Sequence, residues 1–125
     1  MPKLNDVLMQ MAGEMPGVVA VAVAGMDGLP LAHYNTKTSL NVEIASAQFA
    51  LVMKLVQKTC TQLGEDVVED NLVTTNETYL LTLFLGEGLY YLVVAADKKN
   101  SSLGNIRLIA RQYADALWDQ IPKMR

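Results

Sequence analysis

Residues 15–32, MPGVVAVAVAGMDGLPLA, contain the clearest structural signals in this chain. Its uncharged centre has strand length, and Val19, Val21 and Val23 share one face while the intervening alanines share the other. Both faces are apolar, so we expect helices to cover both. Asp27-Gly28 is typical of a hairpin turn. Pro30 lacks the N–H that a strand ladder needs, so it predicts a sheet-edge position for the strand that follows.

Periodicity and turn signals predict the other elements. A short amphipathic helix over residues 4–11 precedes the hairpin, and a long helix capped by Ser39 follows it to about Leu63. Strands are expected over residues 67–75, 78–85 and 89–96, and Ser101 or Ser102 caps a last helix that Pro122 ends. The order α-β-β-α-β-β-β-α predicts an α/β (α+β) fold. We expect one five-stranded antiparallel sheet sandwiched by helices, in a single domain over residues 1–125.

Composition excludes several classes of function. The net charge is -3 and the pI is near 5.0, which argues against a surface that binds nucleic acid. Cys60 is the only cysteine, so neither an intrachain disulfide nor a cysteine-rich metal site is expected. The apolar run at 18–25 is far shorter than the roughly 20 residues of a membrane span, and a secretion signal is lacking. The sequence predicts a cytoplasmic protein without direct membrane insertion.

Catalytic, cofactor and metal sites are not predicted. His33 is the only histidine, and it stands at the end of the expected edge strand without a nucleophile motif nearby. The chain has no phosphate loop of the Gly-x-x-x-x-Gly-Lys type, so it is not expected to hydrolyse nucleotides itself. Four acids at 65, 66, 69 and 70 lack the fixed spacing of a calcium loop.

The element order, with Met15-Pro16-Gly17-Val18 leading into a strand and the segment 27–32 closing its hairpin, resembles the Roadblock/dynein light chain family, which includes LAMTOR-like domains. The full C-terminal helix is similar to the prokaryotic, MglB-like branch. The resemblance implies a homodimer in which the third strand pairs with its own copy and the two long helices lie side by side. In MglB-like members that helix face binds a small Ras-like GTPase and stimulates it, and the family has no catalytic residues to carry over.

The long helix carries two apolar faces. At 3.6 residues per turn, the predicted core face consists of Val42, Ala45, Phe49, Val52, Val56, Cys60 and Leu63. A second apolar group lies on a separate side of the helix, which favours an interface. This interface could serve either dimerisation or partner binding. With the expected self-pairing strand, the predicted dimer or partner interface is Ile44, Ala47, Gln48, Leu51, Leu55, Lys58, Asn71, Leu72 and Val73. The polar side chains Glu43, Ser46, Lys54, Gln57 and Thr61 are expected to face solvent.

Two charge patterns bear on how such a module works. Acids at the start of the third strand would face their copies across a self-paired ladder, so repulsion that salt relieves is expected. The arginines are Arg107, Arg111 and Arg125, all in or after the last helix. In the family arrangement that helix lies opposite the long helix, so any stimulation of a GTPase is expected to proceed without an arginine finger.

Two other functions remain open from the sequence. One is a structural adaptor subunit of a motor or membrane-tethered complex with no GTPase partner. The other is a small-molecule sensor domain, against which the dense aliphatic residues and the alanine face leave little polar lining for a pocket.

Overall fold

The structure is a computed structural model that describes residues 3–36, 41–64 and 67–122. Five strands form one antiparallel sheet in the order β2-β1-β5-β4-β3. The strands are β1 Val18–Gly25, β2 Pro30–Asn35, β3 Asn71–Thr74, β4 Thr78–Leu85 and β5 Tyr90–Asp97. The helices are α1 Leu4–Gly13, α2 Val42–Gln62 and α3 Leu103–Gln120. The predicted fold class and element order are confirmed, and the strand that begins at Pro30 is an edge strand.

One face of the sheet carries the main core, which α1 and α3 cover. Alternate residues of β1, β4 and β5 point into it, among them Val21, Leu83 and Leu92. The helices contribute side chains that are fully buried, namely Leu8, Met11, Ile106 and Leu117. The apolar side of each of these two helices therefore faces this core.

On the opposite face of the sheet, where α2 lies, β1 presents alanine side chains. Ala24 and Tyr91 pack there against Ala50 of the helix. The Tyr91 hydroxyl donates a hydrogen bond to the Ser46 carbonyl. Burial raises the pKa of Tyr91, so the phenol stays protonated and able to donate. The alanine face thus lets the helix backbone come within reach of a tyrosine on the sheet.

The β1–β2 turn also holds α2 in place. Gly28 has a φ of 90°, a conformation that favours glycine, and a Cβ atom built there would lie 3.2 Å from Ala47 Cα. The Asp-Gly signal therefore serves two purposes, because it closes the hairpin and makes room for the helix.

The alternation predicted for β1 is interrupted at its start. A register shift opposite β5 lies between Val18 and Ala20, so Val18, which pairs with Ala96, packs against the main core. The bulge adds one residue to this side of the ladder, so the predicted alternation holds from Ala20 onward.

Two other boundaries differ from expectation. Asn41 caps α2 and accepts a hydrogen bond from the Ile44 amide at 3.0 Å, while the predicted cap, Ser39, lies outside the described residues. The third strand was expected over 67–75, but β3 is limited to four residues. In α3, the Trp118 ring packs at the β4–β5 turn, with its centroid 6.0 Å from that of Tyr90.

The β4–β5 turn gives a matched test of this packing. Gly86 and Gly88 both have positive φ, so alanine at either costs about 1–2 kcal/mol of backbone strain. A Cβ at Gly86 would lie 2.4 Å from the Trp118 ring, whereas at Gly88 it would meet no described atom within 4 Å. We expect Gly86→Ala to lower the free energy of unfolding by about 2–4 kcal/mol, because overpacking adds to the strain. Gly88→Ala should cost only the strain. Equal losses in urea unfolding of the two variants would contradict the placement of Trp118.

Candidate interaction surfaces

The most deeply buried face of α2 consists of two small residues and one methionine, and Phe49 packs beside them, partly buried. Ser46, Ala50 and Met53 are buried, and Met53 is fully inaccessible. Two residues of the predicted core face, Val52 and Leu63, are instead 40% and 76% exposed.

The predicted core face of α2 was therefore rotated away from the true one. The prediction followed the largest apolar side chains, but the alanine-lined sheet favours a helix face that approaches closely. Ser46 was expected in solvent and is buried, and its carbonyl accepts the Tyr91 hydroxyl. Cys60, expected in the core, is only half-buried.

The outward face of α2 is an apolar stripe, here called the outer stripe, made of Ile44, Leu51 and Leu55. These side chains are 56%, 67% and 65% exposed. Each lies about 180–200° around the helix from Met53, at about 100° per residue. Large apolar side chains that gather on one surface indicate a place where another molecule binds.

The polar neighbours Gln48 and Lys58 are exposed beside the outer stripe. Ala47, another predicted interface residue, lies at the side of the helix against Gly28, so the β1–β2 turn borders the stripe.

A second exposed apolar region, here called the β3 flank, lies between α2 and the open edge of the sheet. Val56 and Cys60 of α2 line an open groove together with residues 67–71. The most exposed apolar side chains around this edge are Leu63, Val67, Val73 and Val52. The groove therefore joins the side of α2 to the edge strand.

The edge strand β3 alternates between the two faces of the sheet. Leu72 pairs with Leu81 and packs against the main core, whereas Val73 pairs with Leu80 and lies on the α2 side. Asn71 lies on the same side as Val73. Among the described strands, β3 pairs only with β4, so its other side presents unpaired backbone groups. The nine predicted interface residues therefore fall on two separate surfaces: six on or beside the outward face of α2 and three on β3.

The acids before β3 are bound within the chain. Glu69 and Asp70 precede the strand instead of beginning it, and Asp70 receives hydrogen bonds from Arg107 at 3.2 Å and Arg111 at 3.3 Å. Glu69 lies 3.5 Å from Arg111. The expected repulsion between acids near a self-paired strand requires carboxylates that are not paired within their own chain. The two described acids are outside the strand and paired with arginine, and Glu65 and Asp66 lie outside the described residues.

The same contacts bear on the arginines. Arg107 and Arg111 belong to α3, as expected, but their guanidinium groups reach round to the β3 edge and line the groove beside Val56. Both are engaged by Asp70, while Arg125 lies outside the described residues.

Sequence reasoning missed both the arginine contacts to Asp70 and the burial of Met53. The contacts join residues 37 positions apart for Arg107, which no local pattern reveals. The burial of Met53 could have been predicted, because Val42, Ser46, Met53 and Cys60 recur at helical spacing. The pattern was overlooked because it includes a polar residue, Ser46.

The described part of the chain contains neither a cluster of metal-ligating side chains nor a helix that could span a membrane. Within residues 3–36, 41–64 and 67–122, no group of three or more histidine, cysteine or acidic side chains could hold a metal ion. No helix in those ranges is long and apolar enough to cross a membrane. An apolar cavity of about 110 Å³ lies between α2 and the alanine face, and its lining is almost wholly hydrocarbon.

The two faces of α2 can be separated by one substitution on each. Met53→Asp places a charge among buried side chains, so we expect a loss of at least about 4 kcal/mol in the free energy of unfolding. Leu51→Asp places the same charge in solvent and should cost no more than about 0.5 kcal/mol. Urea unfolding at one protein concentration measures both. Comparable losses would show that the outer stripe also belongs to the core.

Known proteins share both the sequence pattern and the fold of this chain. The family model described as Roadblock/LC7 domain matches residues 4–96. The fold is similar to Myxococcus xanthus MglB, with a TM-score of 0.85, 17% identity, and 93% of this chain and 92% of that chain covered. It is also similar to the gliding protein MglB from Thermus thermophilus, with a TM-score of 0.81, 20% identity, and 94% and 87% covered.

A further solved structure, described as MglB with tetrameric arrangement, matches with a TM-score of 0.85 and 21% identity over 94% of this chain and 86% of that one. A comparison with curated protein sequences gave no match. At these identities the structural likeness establishes the fold alone. The family match spans most of the sequence, and Roadblock domains are generally non-catalytic. The chain belongs to the Roadblock/LC7 domain family, as its element order predicted.

Proposed function

We propose that this chain is a cytoplasmic homodimeric scaffold that binds a small Ras-like GTPase and stimulates it without an arginine finger. The observation that carries the proposal is that α2 and β3 present two separate exposed apolar surfaces, the outer stripe and the β3 flank. One protein that must bind both itself and a partner needs two such surfaces. Membership of the Roadblock family supports a regulatory or scaffold role.

The β3 flank fits self-association. An unpaired edge strand is a template for another strand, and a two-fold axis across it would let each β3 pair with its copy. The side of α2 that carries Val52 and Val56 faces this edge, so the same axis would bring the two α2 helices close together. The tetrameric arrangement described for one MglB is consistent with a fold that associates through its surfaces.

The outer stripe fits a different partner. Ile44, Leu51 and Leu55 point away from the sheet, so they stay accessible when β3 is paired. Exposed Gln48 and Lys58 give the stripe a polar border, which is the pattern of a surface that binds a separately folded protein. Two copies would place two such stripes on one side of the dimer.

The positions of the two described arginines support stimulation without an arginine finger. A finger must project freely into a nucleotide site, where it contributes about 10³ to 10⁵ in rate. Arg107 and Arg111 project toward β3 and bind Asp70, away from the outer stripe. Stimulation would therefore act by reshaping the catalytic residues of the GTPase itself.

Self-association is tested by Val73→Asp. A charge on the open edge would face its copy across the paired strands, so we expect the dimer dissociation constant to rise by about tenfold or more. Sedimentation equilibrium at micromolar concentration should give a dimer of the 13.7 kDa chain and a shift toward monomer in the variant. Leu51→Asp is the matched control and should remain dimeric. A wild-type monomer throughout this range would refute the homodimer.

Partner binding is tested with a small Ras-like GTPase from the same genome, loaded with GTP. Leu51→Asp and Leu55→Asp should each weaken binding by about tenfold or more while the dimer persists. Arg111→Ala, Arg107→Lys and a chain lacking Arg125 should keep most of the stimulation, measured at saturating concentration. A loss near 10³ in any of the three, with binding intact, would restore the finger. Binding without any nucleotide dependence would favour the structural adaptor.

A further inference from the structure

Asp70 occupies a distinctive place at the start of the open edge. It immediately precedes β3, and its side chain is only 10% exposed although the neighbouring Glu69 is 82% exposed. Its Oδ1 atom accepts from Arg107 Nη2 at 3.2 Å. Its Oδ2 atom accepts from Arg107 Nε at 3.2 Å and Arg111 Nη2 at 3.3 Å. Such a bidentate pair with an added third bond fixes direction as well as distance.

These contacts join two layers of the molecule. Residues 67–70 have no regular secondary structure, and Val67, the first of them, is 78% exposed. The arginines belong to α3, which is anchored in the main core by Ile106 and Ala110. The Asp70 carboxylate therefore links the residues just before β3 to α3, the helix on the main-core face of the sheet.

The edge strand has little else to hold it. β3 contains four residues and its described ladder is to β4 alone, and short edge elements of this kind open locally more readily than core strands do. A strand that pairs with its copy must be held straight and in register beforehand, since ordering it on association would subtract from affinity.

We propose that Asp70 is the positioning residue for self-association: its contacts with Arg107 and Arg111 hold β3 in the conformation that pairs with a second copy. The same arginines neutralise an acid that would otherwise approach the other subunit. This inference rests on the proposed homodimer and adds the residue that sets its strength. If Asp70 positions β3, removing its negative charge weakens the dimer. If the acids instead repel one another across the dimer axis, removing that charge tightens the dimer.

Asp70→Asn and Glu69→Gln make a matched pair, because each removes one negative charge and they are adjacent in sequence. We expect Asp70→Asn to raise the dimer dissociation constant by about tenfold or more in sedimentation equilibrium, and Glu69→Gln to change it less than about twofold. The Asp70→Asn/Arg107→Ala double variant should weaken the dimer by less than the two single variants combined, because both changes break one contact.

Hydrogen exchange distinguishes positioning from general stability. In dilute, monomeric protein, the amides of β3 should exchange faster in Asp70→Asn than in Glu69→Gln, while those of β1 and β5 exchange alike in both. If Asp70→Asn does not fold, Arg107→Lys keeps the charge but loses the bidentate geometry, and it should weaken the dimer by an intermediate amount.

These experiments test the homodimer and the positioning role of Asp70 separately. A wild-type chain that never dimerises overturns the proposed function. A wild-type dimer that Asp70→Asn leaves unchanged or tightens, or an Asp70→Asn variant whose β3 amides are as protected as those of Glu69→Gln, overturns the positioning role of Asp70. If Asp70→Asn does not fold, an Arg107→Lys dimer as tight as wild type overturns it as well.

Discussion

The close approach of α2 to the alanine face of the sheet determines which surfaces the molecule has left to offer. Because β1 presents methyl groups on this side, the helix backbone comes near enough for Tyr91 to bond the Ser46 carbonyl. Gly28 makes room for the helix at the neighbouring turn. A larger side chain at any of these points would lift or rotate α2. With the helix held by its small residues, its large aliphatic residues are free to face outward.

That arrangement explains an apparent contradiction in a chain of this size. Small domains use their largest apolar residues for their own core, yet α2 leaves Leu51 and Leu55 about two-thirds exposed. The main core lies on the other face of the sheet, under α1 and α3, and does not need them. The layer that carries α2 is therefore available for association. The ion pairs of Asp70 link the open edge of the sheet to α3, which packs on the main core.

Much of this could be predicted from the sequence, and the failures have physical reasons. Element order, the hairpin and the Pro30 edge depend on local chemistry, so they were accessible. The inward face of α2 was not, because hydropathy ranks Val52 above Ser46 while the alanine surface selects for small size. The length of β3 and the binding of Asp70 by α3 depend on residues far apart in sequence, which a single sequence does not reveal. The predicted interface residues lie on exposed surfaces or edges, and their role in association stays a prediction.

In the proposed dimer, two copies meet along β3 and not along β2, the other open edge. Cysteine cross-linking in a Cys60→Ser background tests it, because a strand paired antiparallel with its own copy brings central residues within about 6 Å of each other. Val73→Cys on β3 should give a covalent dimer with a short bifunctional thiol reagent, and Leu31→Cys on β2, with similar exposure, should stay monomeric on a denaturing gel. Cross-linking through Leu31→Cys with none through Val73→Cys would contradict pairing of the two copies along β3.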